Sequence, residues 1–85
     1  MSVLEEADKI INGPRQNDYG SADVSFQMIG KAWESILHAP VSAHQVALCM
    51  AALKLVRESY NHKEDNLIDA AGYIGLAEQI CNLKK

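Results

Sequence analysis

The 85-residue chain has no excess of basic charge, no long apolar run, no alternating strand pattern and only two cysteines. Each absence closes off a class of protein. A net charge of −3 argues against electrostatic binding to duplex nucleic acid, whose usual footprint is a basic surface. No stretch approaches the roughly 18 consecutive apolar residues of a membrane span. The acidic pair Glu5-Glu6 stands where a secretory signal would carry basic residues. The expectation is a soluble, cytoplasmic protein with no membrane partner. Cys49 and Cys81 both fall in apolar helical runs, which predicts reduced core residues rather than a bridge. His38, His44 and His62 are scattered, and no Cys/His cluster has zinc-ligand spacing. There is also no Ser–His–acid or Cys–His arrangement and no Gly-rich phosphate loop, so no catalytic residue can be named. Repeats and low-complexity segments are missing too.

What is present is helical. The length predicts a single domain over residues 1–85 that buries only about 60–65% of its unfolded surface, so its core calls for reinforcement. Ser2-Val3-Leu4-Glu5 is a capping box. The helix it opens places Val3, Leu4, Ala7, Ile10 and Ile11 on one stripe. Asn12-Gly13-Pro14 stops that helix, with Gly13 expected in the left-handed cap conformation. A second helix is predicted from about Ser21 to His38, with Phe26, Ile29, Trp33, Ile36 and Leu37 on its apolar face. Trp33 there is read as core. Ser42-Ala43-His44-Gln45 is a second capping box, and the helix after it is apolar on almost every side from Val46 to Val56. A helix apolar all round is a buried one. Burying it completely in so short a chain calls for a partner copy, so the fold expected is all-α, a four-helix arrangement with a C-terminal αα-hairpin, completed by homo-oligomerisation. Asn61–Glu64 should form the turn of that hairpin, with Asp65 or Asn66 capping the last helix, which ends near Asn82. Within it Ala70, Ala71, Gly72 and Gly75 would let another helix come close to its backbone.

Charge gathers at one corner, Lys54 to Tyr73, KLVRESYNHKEDNLIDAAGY. Lys54 and Arg57 are three residues apart and could clamp phosphate oxygens. They also suit a helix C-terminus, or ion pairs across the hairpin. Asp65 and Asp69 are one turn apart and could hold a hard cation such as Mg²⁺, or simply decorate a helix N-terminus. Arg15 and Tyr19, in the Gly-bounded loop Gly13–Gly20, offer a guanidinium and an aromatic face for a phosphate and a base. Lys63 in the turn reads as solvated.

The pair NDYG at Asn17–Gly20 and KLVR…HKEDNLIDAAGY at Lys54–Tyr73 resembles a family of small bacteriophage and prophage proteins, largely of undefined function, over nearly the whole chain. That resemblance implies the cytoplasm of an infected host. More remotely, the arrangement resembles the all-α nucleoside triphosphate pyrophosphohydrolases of the MazG and dimeric dUTPase type. Those bundles place an E-x-x-E pair on one helix and an E-x-x-D pair on the next to bind Mg²⁺. Asp65 and Asp69 would stand for the second pair at a spacing of four, while Lys54 and Arg57 occupy the place of the first. The resemblance therefore implies a protein that binds a nucleotide or other phosphorylated small molecule, possessing half of the enzymes' carboxylates. The alternatives are a Mg²⁺-dependent pyrophosphohydrolase and a host-interaction or anti-defence protein acting on a host protein by contact.

Overall fold

Among the described residues, local hydrogen bonds start two of the four helices where the sequence places them. In the computed structural model, which describes residues 2–13 and 22–83, the Ser2 hydroxyl accepts from the Glu5 amide at 3.1 Å and the Glu5 carboxylate accepts from the Ser2 amide. Helix α1 follows over Val3–Ile11. The Ser42 hydroxyl and Gln45 side chain make the same reciprocal pair, at 3.1 and 2.9 Å, and open α3, Ala43–Tyr60. Between them lies α2, Ala22–Leu37, and the last helix, α4, covers Glu64–Leu83. No strand occurs among the described residues. Because α4 begins at Glu64, Lys63 holds the capping position. Asp65 therefore sits inside the first turn rather than capping it, and the connecting turn shortens to Asn61–Lys63.

Helices α1 and α2 end at Ile11 and Leu37, within about a residue of where the sequence stops them, but the left-handed turn falls elsewhere than at Gly13. Gly13 does not take a positive φ; what its missing side chain permits is close approach, since a Cβ there would meet the Lys9 carbonyl oxygen at 2.5 Å. The left-handed residue is His38, φ 56°, whose amide donates to the Glu34 carbonyl at 2.8 Å. Glu34 also reaches forward, its carboxylate accepting from the Val41 amide at 2.9 Å. Together they turn the chain from α2 into α3. A residue that carries a Cβ is strained by about 1–2 kcal/mol in this conformation, and glycine is the usual occupant. His38→Gly should therefore raise stability by roughly 0.5–1 kcal/mol after its larger unfolded-state entropy is counted, read as a few degrees in a thermal melt.

The core lies where α2, α3 and the second half of α4 meet. It contains Phe26, Ala43, Val46, Ala47, Ala77 and Ile80, with Ile29, Trp33, Val41, Met50, Tyr73 and Leu76 packed around them. Val46 and Ile80 are its largest fully enclosed side chains. Elsewhere burial falls on Ala7, Ala51 and Ala70, so most of the enclosed apolar residues are alanines. Small side chains let backbones approach. Ile11 of α1 accordingly lies 3.5 Å from where a Cβ of Gly72 would be and 2.7 Å from that of Gly75, which accounts for the two glycines inside α4. The Asn12 side-chain oxygen accepts from the Gln79 amide at 2.9 Å and fastens the same two helices. At the other side, His44 Nδ1 meets the Ala77 carbonyl at 3.2 Å, joining the start of α3 to the far part of α4.

Two expectations about burial are corrected. Cys49 and Cys81 are exposed free thiols, because the inward stripe of α3 is taken by Ala43, Val46, Ala47 and Ala51, and that of α4 by Ala77 and Ile80. Ile36 and Leu37 are exposed as well, since the contact of α2 with the core ends at Trp33. Helix α3, expected to be completely buried only with a partner copy, is enclosed by its own chain on one side. Its outward apolar residues remain in solvent.

Candidate functional site

Helices α3 and α4 are joined by three residues and pack along one another, which carries Lys54 to the side of Asp69. Lys54 Nζ lies 3.1 Å from Asp69 Oδ2, with the lysine side chain 17% exposed and the aspartate 40%. The lysine stem runs over apolar surface while its ammonium reaches the carboxylate. Ion pairs half in solvent contribute little to stability, about 0–1 kcal/mol, so the pair matters more for where it places charge.

Asp69 faces a groove. A hollow of about 480 Å³ is bounded by Ile10 and Ile11 of α1, Phe26 of α2, and Ile68, Asp69 and Tyr73 of α4. The Phe26 and Tyr73 rings are 6.2 Å apart between centroids and inclined at 34°, within the range of favourable aromatic pairs. Among the described residues the wall is apolar and aromatic apart from the Asp69 carboxylate. An apolar slot with a few convergent polar groups is the common form of a small-molecule site.

The other charged candidates are not drawn together in this way. Arg57 is exposed, one turn beyond Lys54, and makes no ion pair among the described residues. Asp65 is exposed in the first turn of α4 beside Glu64. Lys63 is exposed in the turn. Arg15 and Tyr19 lie outside the described residues. Among those described, no three His, Cys, Asp or Glu side chains stand close enough to hold a metal ion. A magnesium ion takes several oxygen ligands. Asp69 already faces an ammonium and Asp65 is exposed in the first turn of α4, a donor set that fits the ion poorly.

Sequence reasoning missed the group that shapes the corner. The Glu58 carboxylate accepts from the His62 ring and, at 3.0 Å, from the Lys63 amide, satisfying a backbone donor at the start of α4. The hydrogen bond from His62, followed by that from the Lys63 amide, holds the Glu58 carboxyl below its ordinary value. Stability from a lowered carboxyl is present above its unfolded pKa and is lost as pH falls through the lowered folded one. An acid four residues before a histidine, at the end of a helix, was the available signal. Asn66 adds a 3.5 Å bond to the Asn61 carbonyl.

Comparisons with other proteins agree with the likeness to phage proteins. Over 82 residues the chain is 35% identical to the Gene 55 protein of Mycobacterium phage L5, covering 94% of this chain and 53% of that protein. It is 34% identical over 80 residues to the Gene 55 protein of Mycobacterium phage D29, covering 93% and 53% respectively. The chain thus spans about half the length of these curated relatives. No solved structure matches it. No helix among the described residues is long and apolar enough to cross a membrane. The model of a domain of unknown function, DUF6378, matches residues 2–81, and the chain belongs to that family.

Proposed function

We propose that this chain is a phage or prophage protein that binds a nucleotide or another phosphorylated small molecule in the host cytoplasm, and that it does so as a homo-oligomer framed by the α3–α4 hairpin. The observation that carries the reading is the position of Asp69, which touches both the aromatic groove and the Lys54 ammonium. A planar base fits between apolar walls that include Phe26 and Tyr73, with its amino edge donating to the Asp69 carboxylate. Its phosphate extends toward Lys54 and Arg57, one turn apart on α3. Entry of the phosphate exchanges one anionic partner of Lys54 for another, so the site needs no metal to accept it. Sequestration follows from such a site without any bond being broken.

The test is a thermal-shift series with nucleoside mono- and triphosphates and cyclic nucleotides, with and without Mg²⁺. At about 100 times its dissociation constant a native-state ligand adds roughly 2.7 kcal/mol, a rise of 10 °C or more for a domain of this size. The expected result is a rise that does not need Mg²⁺ and is at least tenfold weaker in Lys54→Ala. A rise that requires Mg²⁺, with turnover abolished in Asp69→Asn, would replace this reading by the pyrophosphohydrolase. No rise with any nucleotide would leave contact with a host protein as the better reading.

A further inference from the structure

Helix α3 is inside out. Its three charged residues, Lys54, Arg57 and Glu58, lie on the inward stripe or its flanks, and Lys54 and Glu58 are half-buried. At about 100° per residue, the outward half comprises the positions from Gln45 through Leu48, Ala52 and Val56 to Tyr60, and none of them is charged. Its large side chains are exposed, from 47% at Leu48 through 63% at Val56 to 93% at Tyr60. Leu37 and Pro40 extend this surface, lining a second hollow of about 350 Å³ with Leu48 and Cys49. An ordinary surface helix shows the reverse distribution, apolar residues inward and charges outward.

We infer that this outward face of α3 is the two-fold interface of a homodimer, in which α3 packs antiparallel against its own copy with Ala52 at the axis. Three features select a second copy as the occupant. The order of side chains is self-complementary about Ala52: Leu48 falls opposite Val56 of the other copy, Cys49 opposite Leu55, and Gln45 opposite Ser59. Polar ends therefore meet polar ends, and large residues flank a small one where the helices come nearest. Next, a two-fold axis brings each group near it close to its own duplicate. A charge on this face would meet its like, and the face has none. Lastly, Leu37, Leu48, Leu53, Leu55, Val56 and Tyr60 all stay between 47% and 93% exposed on this side, a contiguous apolar patch continuous with the second hollow and large enough for the roughly 800 Å² scale that each partner gives to a standard interface. The inference specifies the self-association in the function proposed above, while its readout is independent of any ligand.

The experiment is sedimentation velocity on the full chain from low to high micromolar concentration. The expected species has twice the 9.3 kDa chain mass. Ala52→Glu puts a carboxylate beside its duplicate at the axis, and glutamate is a good helix former at an exposed position, so this variant should keep its helical circular dichroism and run as a monomer. Leu4→Glu, at a position that is also exposed and apolar in the native chain but lies on α1, should remain dimeric. The register is read separately: in a chain with Cys49→Ser and Cys81→Ser, Ala52→Cys should cross-link to a covalent dimer on mild oxidation, and Leu4→Cys should not. A monomeric native chain at high micromolar concentration overturns the inference, as does an oligomer unchanged by Ala52→Glu. A dimer whose Ala52→Cys fails to cross-link overturns the antiparallel register. Because the ligand response is measured by melting and the assembly by mass, either proposal can fail alone.

Discussion

Ile80→Ala should lower the unfolding free energy by about 3–5 kcal/mol, the upper part of the range for such truncations, and leave the chain largely unfolded at 37 °C. Ile80 is 1% exposed and packs in one cluster with Phe26, Ala43, Val46, Ala47 and Ala77. The cost of removing three carbons depends on how far the surroundings can collapse into the space. Here half of the cluster is alanine, which has no rotamer to swing inward. The vacancy persists, and the lost dispersion contacts are not recovered. Urea titration followed by circular dichroism measures the loss as a lower midpoint at unchanged slope. A loss below about 1 kcal/mol would show that α4 shifts to close the space, and the close packing inferred for this end of the bundle would be wrong.

Gly30→Ala and Gly72→Ala should move stability in opposite directions. Both glycines are buried inside helices, where alanine is better by up to about 1 kcal/mol on propensity alone. At Gly72 the new methyl would touch Ile11 Cγ2 at 3.5 Å, an ordinary contact, so that gain should be realised. At Gly30 it would stand 2.6 Å from the Val41 carbonyl oxygen. That carbonyl cannot retreat cheaply, because the Val41 amide is held by Glu34 and the next residue, Ser42, opens α3. Overpacking typically costs about 1–3 kcal/mol, so after the propensity gain a net loss of about 1–2 kcal/mol is expected, read as a fall in Tm of roughly 5–10 °C. Parallel melts of the two variants check the contrast. Equal shifts would mean that the α2–α3 connection yields.

What was legible in the sequence is what depends on neighbours three or four residues away. Ser2 with Glu5 and Ser42 with Gln45 marked two helix starts because a capping box is complete within four residues. Phe26, Ile29 and Trp33 marked the inward side of α2 because that stripe is real. The limits appear where a local pattern has two physical outcomes. A helix apolar on all sides was read as buried, yet periodicity cannot say which side faces its own chain, and Cys49 went with the wrong one. The corner residues Lys54 and Asp69 were singled out, while their 3.1 Å pairing depends on the packing of α3 against α4. His38 carries no mark of its left-handed conformation, since glycine is the residue that normally signals one. Glu58 was overlooked because the backbone amide it satisfies exists as an unpaired donor only once α4 begins at Glu64.

The preponderance of alanine among the enclosed residues also has a calorimetric consequence. The heat-capacity change on unfolding scales with the apolar surface newly wetted, about 0.45 cal/K/mol per Å². Residues such as Leu4, Met28, Ile36 and Tyr60 are already wet in the folded chain, and the buried alanines have little surface to add. The isolated chain should therefore have a shallow stability curve that changes slowly with temperature. If the outward side of α3 is covered as in the dimer inferred above, the missing apolar contribution returns, and the assembled form should show the more strongly curved dome.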